Sequence, residues 1–265
     1  MRYSKYLSVA KINVTERLHH SSNLAGRALV VMVRIWIFTT LYTATYRTIH
    51  ATTIHGIDVA GIVWMLVFAQ SFRQSGWPNT AAIIETEVKS GTLAYSINRP
   101  YSYLLFHFWS YFGRVGPNLL INIGSAALAG IIFVGWPSIS LASAGAGLVL
   151  LAMSFVLDFF CAFAIGLLAF WTEDTSAFQW LYFKGQLIFG GLVLPLALFP
   201  DALRRVAEWL PFPAMFYSPA RLLVSYDGAL FKWFLLMQVA WTSVAILMAV
   251  FLFRRGVRNV EMNGG

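Results

Sequence analysis

Of 265 residues, 58% are hydrophobic and only 11% charged, too little polar surface to coat a soluble fold of this size. The single Cys161 excludes a disulfide framework and thiolate-held metals. A net charge of +8, which in a soluble protein would point to nucleic acid, here reports the positive-inside bias of a membrane protein, with no nucleic-acid partner.

In chain order, residues 1–22 carry no apolar signal-peptide core. Tyr3, Leu7, Ala10, Val14 and Leu18 fall on one helical face, with Lys11 and Arg17 at its margins. That pattern predicts an amphipathic helix, lying in the membrane interface or packed on the protein's own inner loops. A membrane-crossing helix needs about 20 apolar residues. Gaps between charges predict six: Gly26 to Tyr46, a short Ile57 to Phe72, Pro117 to Val134, Leu141 to Trp171, Ser176 to Leu198, and Trp233 to Phe253 stopped by Arg254-Arg255. Gly135-Trp136-Pro137-Ser138 divides the third from the fourth. With both termini inside, twelve basic residues fall on the inner side and five on the outer side, which supports that orientation. The expected fold is therefore all-α and integral to the membrane, one membrane domain over residues 1–265, with no internal repeat.

Two connections are long. In the inner one, residues 78–100, Thr80 to Lys89 reads as a short helix capped by Asn79 and ended at Gly91, and Pro100 disfavours helix through Asn98-Arg99. In the outer one, residues 195–226, five of the nine prolines gather. Asp201 to Leu210 reads there as an amphipathic helix, Pro211-Phe212-Pro213 as a break, and Ala214 to Val224 as a second, apolar helix. The pair is expected to dip into the outer leaflet.

Arg34, Asp158 and Lys184 fall near the middles of the first, fourth and fifth spans, where an ionisable group is costly and needs a partner. One expectation is a buried pair of Asp158 with Arg34 or Lys184. The other sets Asp158 beside a path for cationic substrate, with Arg34, Lys184 and aromatics such as Trp36 and Phe163 along it. No Gly-x-x-x-x-Gly-Lys-Ser/Thr loop occurs, no histidines have metal-ligand spacing, and no catalytic constellation stands out. ATP chemistry, and the cofactors it needs, are not expected on this chain.

Glu87-Val-Lys-Ser-Gly91-Thr92-Leu93 followed by Asn98-Arg99-Pro100, Phe170-Trp171-Thr172-Glu173-Asp174, Leu198-Phe199-Pro200 and Tyr217-Ser-Pro-Ala-Arg-Leu222, in this order and spacing, resemble type-2 ABC transporter permeases. The subgroup most similar includes viologen- and daunorubicin-type exporters. The resemblance implies a coupling helix docking on a separate ATPase that holds ATP and Mg, with Glu85, Glu87 and Lys89 at the contact and Gly91, Thr92, Leu93, Arg99 and Pro100 completing the segment. It also implies a second permease, identical or related, a site in the bacterial inner membrane, and export of a hydrophobic or cationic small molecule. Export of a lipid-linked glycan or lipid is the alternative within the family. An intramembrane enzyme would need clustered acids or histidines at depth, and an ion-coupled transporter a repeat.

Overall fold

A computed structural model describes residues 4–19, 24–54, 56–76 and 80–263. Residues 1–3 and 20–22 of the expected N-terminal helix, and the expected Asn79 cap, lie outside the described residues. Among the described residues all regular structure is helical, apart from one bridge between Ile54 and Ile57. The helices are α1 (Ser4–His19), α2 (Leu24–Thr48), α3 (Val59–Gly76), α4 (Thr80–Lys89), α5 (Thr92–Ile97), α6 (Tyr103–Val134), α7 (Leu141–Leu167), α8 (Ser176–Phe189), α9 (Asp201–Glu208), α10 (Pro211–Met215), α11 (Tyr217–Val224) and α12 (Gly228–Asn263). Among the described residues, four stretches are long and apolar enough to cross a membrane: Leu29–Thr48, Tyr103–Val134, Leu141–Phe170 and Gly228–Arg258.

Helix starts follow local chemistry. Ser102 caps α6 by accepting from Leu105 N, and Ser140 caps α7 by accepting from Ser143 N. Gly135, at φ +98°, makes the turn between them. α3 lies at the centre, with every residue from Gly61 to Ala69 buried, the pattern of a helix enclosed by others. It runs antiparallel to α6: a Cβ at Gly130 would touch Trp64, while Asn122 Nδ2 donates to Ser75 Oγ at 3.1 Å. α12 runs alongside α7 in the same direction, Gln238 meeting Leu150 and Gly256 meeting Phe170. α4, the C-terminal parts of α3 and α7 and the start of α6 thus share one end of the bundle. α9 and the 135–140 turn mark the other.

Several boundaries differ from the sequence expectation. α6 begins at Tyr103, not Pro117, and runs straight through that proline. α12 continues past Arg254-Arg255 to Asn263, because two arginines interrupt hydropathy without interrupting helix. The expected break at Pro211 is present: α9 ends at Glu208 and Leu210 is extended, as the residue before a proline prefers. Pro211 then opens α10, since a proline in the first turn lacks only an N–H that would have no partner there. A second break, inside the expected Ala214 to Val224 helix, falls at Phe216, which separates α10 from α11. The expected fifth span stops early. α8 ends at Phe189, and residues 190–200 continue as an irregular strip with Gly191 at φ +69° and one tight turn over Leu196–Leu198. Irregular backbone inside a membrane protein survives only where protein satisfies it. Here Gln70 Nε2 donates to Leu192 O at 2.5 Å and Tyr42 OH to Val193 O at 2.6 Å, while Leu192, Leu196, Ala197 and Phe199 are buried.

α1 packs on α6. Gly113 permits the approach, since a Cβ there would lie 2.6 Å from Ala10 O. Ser102 N donates to Tyr6 OH at 3.0 Å and Arg114 Nη1 to Asn13 Oδ1 at 3.1 Å. Leu7 and Ile12 stay exposed on the free face, so the helix rests on α6 with an apolar edge turned outward.

Candidate functional site

Two neighbouring features carry chemistry, and both sit at the α4 end. In α4, Ala81 and Ile84 fall one turn apart and are buried. They lie against Gly166 of α7, where a Cβ would stand 2.7 Å from both Ala81 O and Ile84 Cβ. The polar side is pinned as firmly. Glu85 pairs with Lys89 and accepts from Thr175 Oγ1 at 2.6 Å and Gln179 Nε2 at 2.8 Å. Glu87 Oε2 accepts from Tyr103 OH at 2.6 Å and lies 3.1 Å from His107 Nε2. For both acids burial pulls the carboxyl pKa upward, but the hydrogen bonds outweigh it and hold the group below its ordinary value.

Gly91 then turns the chain at φ +73°, a conformation that suits glycine. α5 plugs Leu93 into the core and leaves Thr92, Ala94 and Tyr95 exposed; Tyr95 is 76% exposed. Lys89, Asn98, Arg99 and Pro100 extend this strip, and Arg99 Nη1 donates to Tyr101 OH at 3.2 Å. Of the residues that the resemblance assigns to docking, then, Glu85 and Glu87 face inward and hold α4 in place. Lys89, Gly91, Thr92, Arg99 and Pro100 are on the surface, and Leu93 is a buried plug.

The second feature is a cavity of about 260 Å³ between α3, α4, α7 and α8. Asp158 lines it. Its Oδ1 accepts from Tyr182 OH at 2.8 Å and Gln186 Nε2 at 2.9 Å, and its Oδ2 from Tyr111 OH at 2.8 Å. One carboxylate thus ties α7 to α6 and twice to α8. The expected pair of Asp158 with Arg34 or Lys184 does not form. Arg34 Nη1 donates to Gln70 Oε1 at 3.2 Å, and Lys184 lies over the rings of Trp180 and Phe183. The cation that shares the cavity with Asp158 is Arg73, from α3.

The expected path residues are not brought together. Trp36 is exposed on α2, and Phe163 is fully buried among Phe159, Tyr103 and Phe253. Asp158 alone of that group lines this cavity. What sequence reasoning missed is the set of its partners. A signal for two of them existed in α8, where Tyr182 and Gln186 lie four apart on one face of a largely apolar helix.

The four motifs sort by end. Residues 170–174 adjoin α4 through Thr175 and Glu85, whereas Leu198-Phe199-Pro200 and Tyr217–Leu222 belong to the opposite end. A profile of the family described as ABC-2 family transporter protein matches residues 29–264. Among curated proteins none matches this chain.

Proposed function

The chain belongs to the ABC-2 family of transporter proteins, and from that premise we propose that it is the permease of an ATP-driven exporter whose ATPase docks on the exposed strip of α4 and α5. As a member of that family it is a multi-pass membrane subunit for transport. The observation that carries the docking assignment is the contrast within α4–α5. Its inward face is locked to α6, α7 and α8 by Glu85, Glu87, Ile84 and Leu93, while Lys89, Thr92, Tyr95 and Arg99 project. A rigid projection transmits displacement; a loose loop would absorb it.

ATP and magnesium then reside on the partner ATPase, and a second permease, identical or related, completes the pathway. Six crossings are counted by adding α3, which neighbouring helices enclose, and α8 with the 190–200 strip, whose carbonyls Gln70 and Tyr42 satisfy. Both termini are cytoplasmic in the bacterial inner membrane, and α9–α11 form the outer re-entrant segment. The cargo is a hydrophobic or cationic small molecule, as in the viologen- and daunorubicin-type subgroup.

The test is co-purification with the ABC ATPase. An exposed aromatic at the centre of an interface is a typical energetic anchor. Tyr95→Ala should weaken ATPase capture roughly tenfold or more, about 1.4 kcal/mol for each tenfold, with the melting temperature of the isolated permease unchanged. Undiminished capture and ATPase stimulation in Tyr95→Ala combined with Arg99→Glu would overturn the assignment.

A further inference from the structure

The cavity beneath α8 has a composition that the docking surface does not use. Asp158 and Arg73, of opposite charge and from different helices, line the same 260 Å³ space, against about 30 Å³ for one water in the liquid. Aromatic faces surround them: Trp180, Phe183 and Phe216 line the walls, and the Arg73 guanidinium carbon sits 4.4 Å from the Phe183 ring centre. An aromatic wall with a few convergent polar groups is the usual make-up of a small-molecule site.

Asp158 retains capacity for one more donor. A carboxylate offers about four lone-pair sites, and Tyr182, Gln186 and Tyr111 fill three of them, two on Oδ1 and one on Oδ2. The remaining one is on Oδ2. Position 76 controls access to it. Gly76 lines the cavity, and any Cβ there would stand 3.0 Å from Oδ2 and 3.0 Å from the Tyr111 hydroxyl.

We propose that this cavity binds a zwitterionic group, an ammonium and a phosphate or carboxylate carried on one small frame. The ammonium reaches Asp158 Oδ2, with Phe216 on the cavity wall as the ring that, among the described residues, carries no protein cation; Arg73 and Lys184 already lie over Phe183 and Trp180. The anionic group reaches Arg73. A simple cation would satisfy Asp158 but stand beside Arg73, and a simple anion would meet Asp158. In a weakly polar cavity either adds an uncompensated charge, which is costly. A charge-balanced site selects a charge-balanced ligand. Such a group comes either from the head of a bilayer lipid or from a soluble zwitterion. The site depends on no docked partner.

Titration calorimetry of the purified permease, without ATPase, tests this with phosphoethanolamine, tetramethylammonium and inorganic phosphate. Native mass spectrometry from nanodiscs of mixed phosphatidylethanolamine and phosphatidylglycerol supplies the lipid arm. Phosphoethanolamine should bind at least tenfold more tightly than either simple ion, or phosphatidylethanolamine should be retained over phosphatidylglycerol; the first assigns a soluble ligand, the second a lipid. Gly76→Ala, which changes no charge, should reduce either signal about tenfold. Arg73→Gln should shift preference toward tetramethylammonium and Asp158→Asn toward phosphate. If Asp158→Asn fails to fold, Gly76→Ala and Arg73→Gln carry the test. Equal binding of the three small probes with no lipid preference, no binding in either arm, or binding unchanged in Gly76→Ala would overturn the proposal.

Discussion

The two long connections of this chain are built from the same short helices but held by different forces. α4 and α5 are fastened chiefly by charge: Glu85 and Glu87 collect hydroxyl, amide and imidazole partners from α6 and α8, with Ala81, Ile84 and Leu93 as small apolar plugs. α10 and α11 are fastened chiefly by burial. Every residue from Pro213 to Ala220 is buried, as are Leu222 and Leu223. One amide, Gln238 Nε2, reaches Ala214 O at 2.7 Å, and Ser218 Oγ donates to Pro213 O at 3.0 Å. Charged pins tolerate water and can be remade after small shifts, which suits the docking role proposed for this segment. Dense apolar packing has few alternative arrangements, which suits a fixed plug. α9 shows the third case. Its Arg204 bridges Asp201 and Glu208 at the surface, where such pairs contribute little.

Three substitutions would break or sharpen that contrast. The largest effect is expected for Leu222→Ala in α11. Leu222 is fully buried, and removing its branched methyls leaves a cavity that costs about 2–5 kcal/mol. A lowered melting temperature of the purified protein is the readout, and a shift no larger than that of a surface mutant would refute burial as the fastening force. Glu87→Gln comes next, at roughly 1.5–3 kcal/mol for hydrogen bonds to a charged group, but as local loosening of α4 with global melting little changed. Maleimide labelling of a cysteine placed at Ile84 should accelerate.

The same contact should respond to acid. Because the Glu85 and Glu87 pKa values are lowered in the fold, the stabilisation is fully present above the ordinary glutamate value of about 4.3. It is lost as pH falls through the lower folded values. Labelling at Ile84 that rises with acid in the natural protein, and not in Glu85→Gln/Glu87→Gln, is the expected result. The smallest effect is Arg204→Ala, about 0.2–1 kcal/mol at most; a loss as large as that of Leu222→Ala would show that α9 is part of the plug.

Much of this architecture is legible without coordinates. The α4 helix, its end at Gly91, the turn at Gly135 and the amphipathic α9 all appear where local chemistry puts them. Glycine at positive φ and a serine that caps the next turn act within a few residues of chain. The candidate site was half legible. Asp158 stood out as an acid in an apolar run, whereas Tyr111, Tyr182, Gln186 and Arg73 did not, because tyrosine, glutamine and an arginine near a helix end are unremarkable until their helices meet. Glu85 and Glu87 stood out through the resemblance, but their partners did not: Thr175 and Tyr103, distant in sequence, hold the two carboxylates against the bundle.

By itself the sequence determined the membrane class, the two long connections and the positions where the chain must turn, since hydropathy, proline and glycine act locally. Tertiary structure alone decided which buried charge meets which partner and where the fifth long apolar stretch ceases to be helix. The carbonyls of Leu192 and Val193 are released from helical bonding because Gln70 and Tyr42, 122 and 151 residues away in sequence, supply the donors. A backbone can leave the helix inside a membrane protein only when such donors arrive, and their arrival depends on helix packing, which no local pattern encodes.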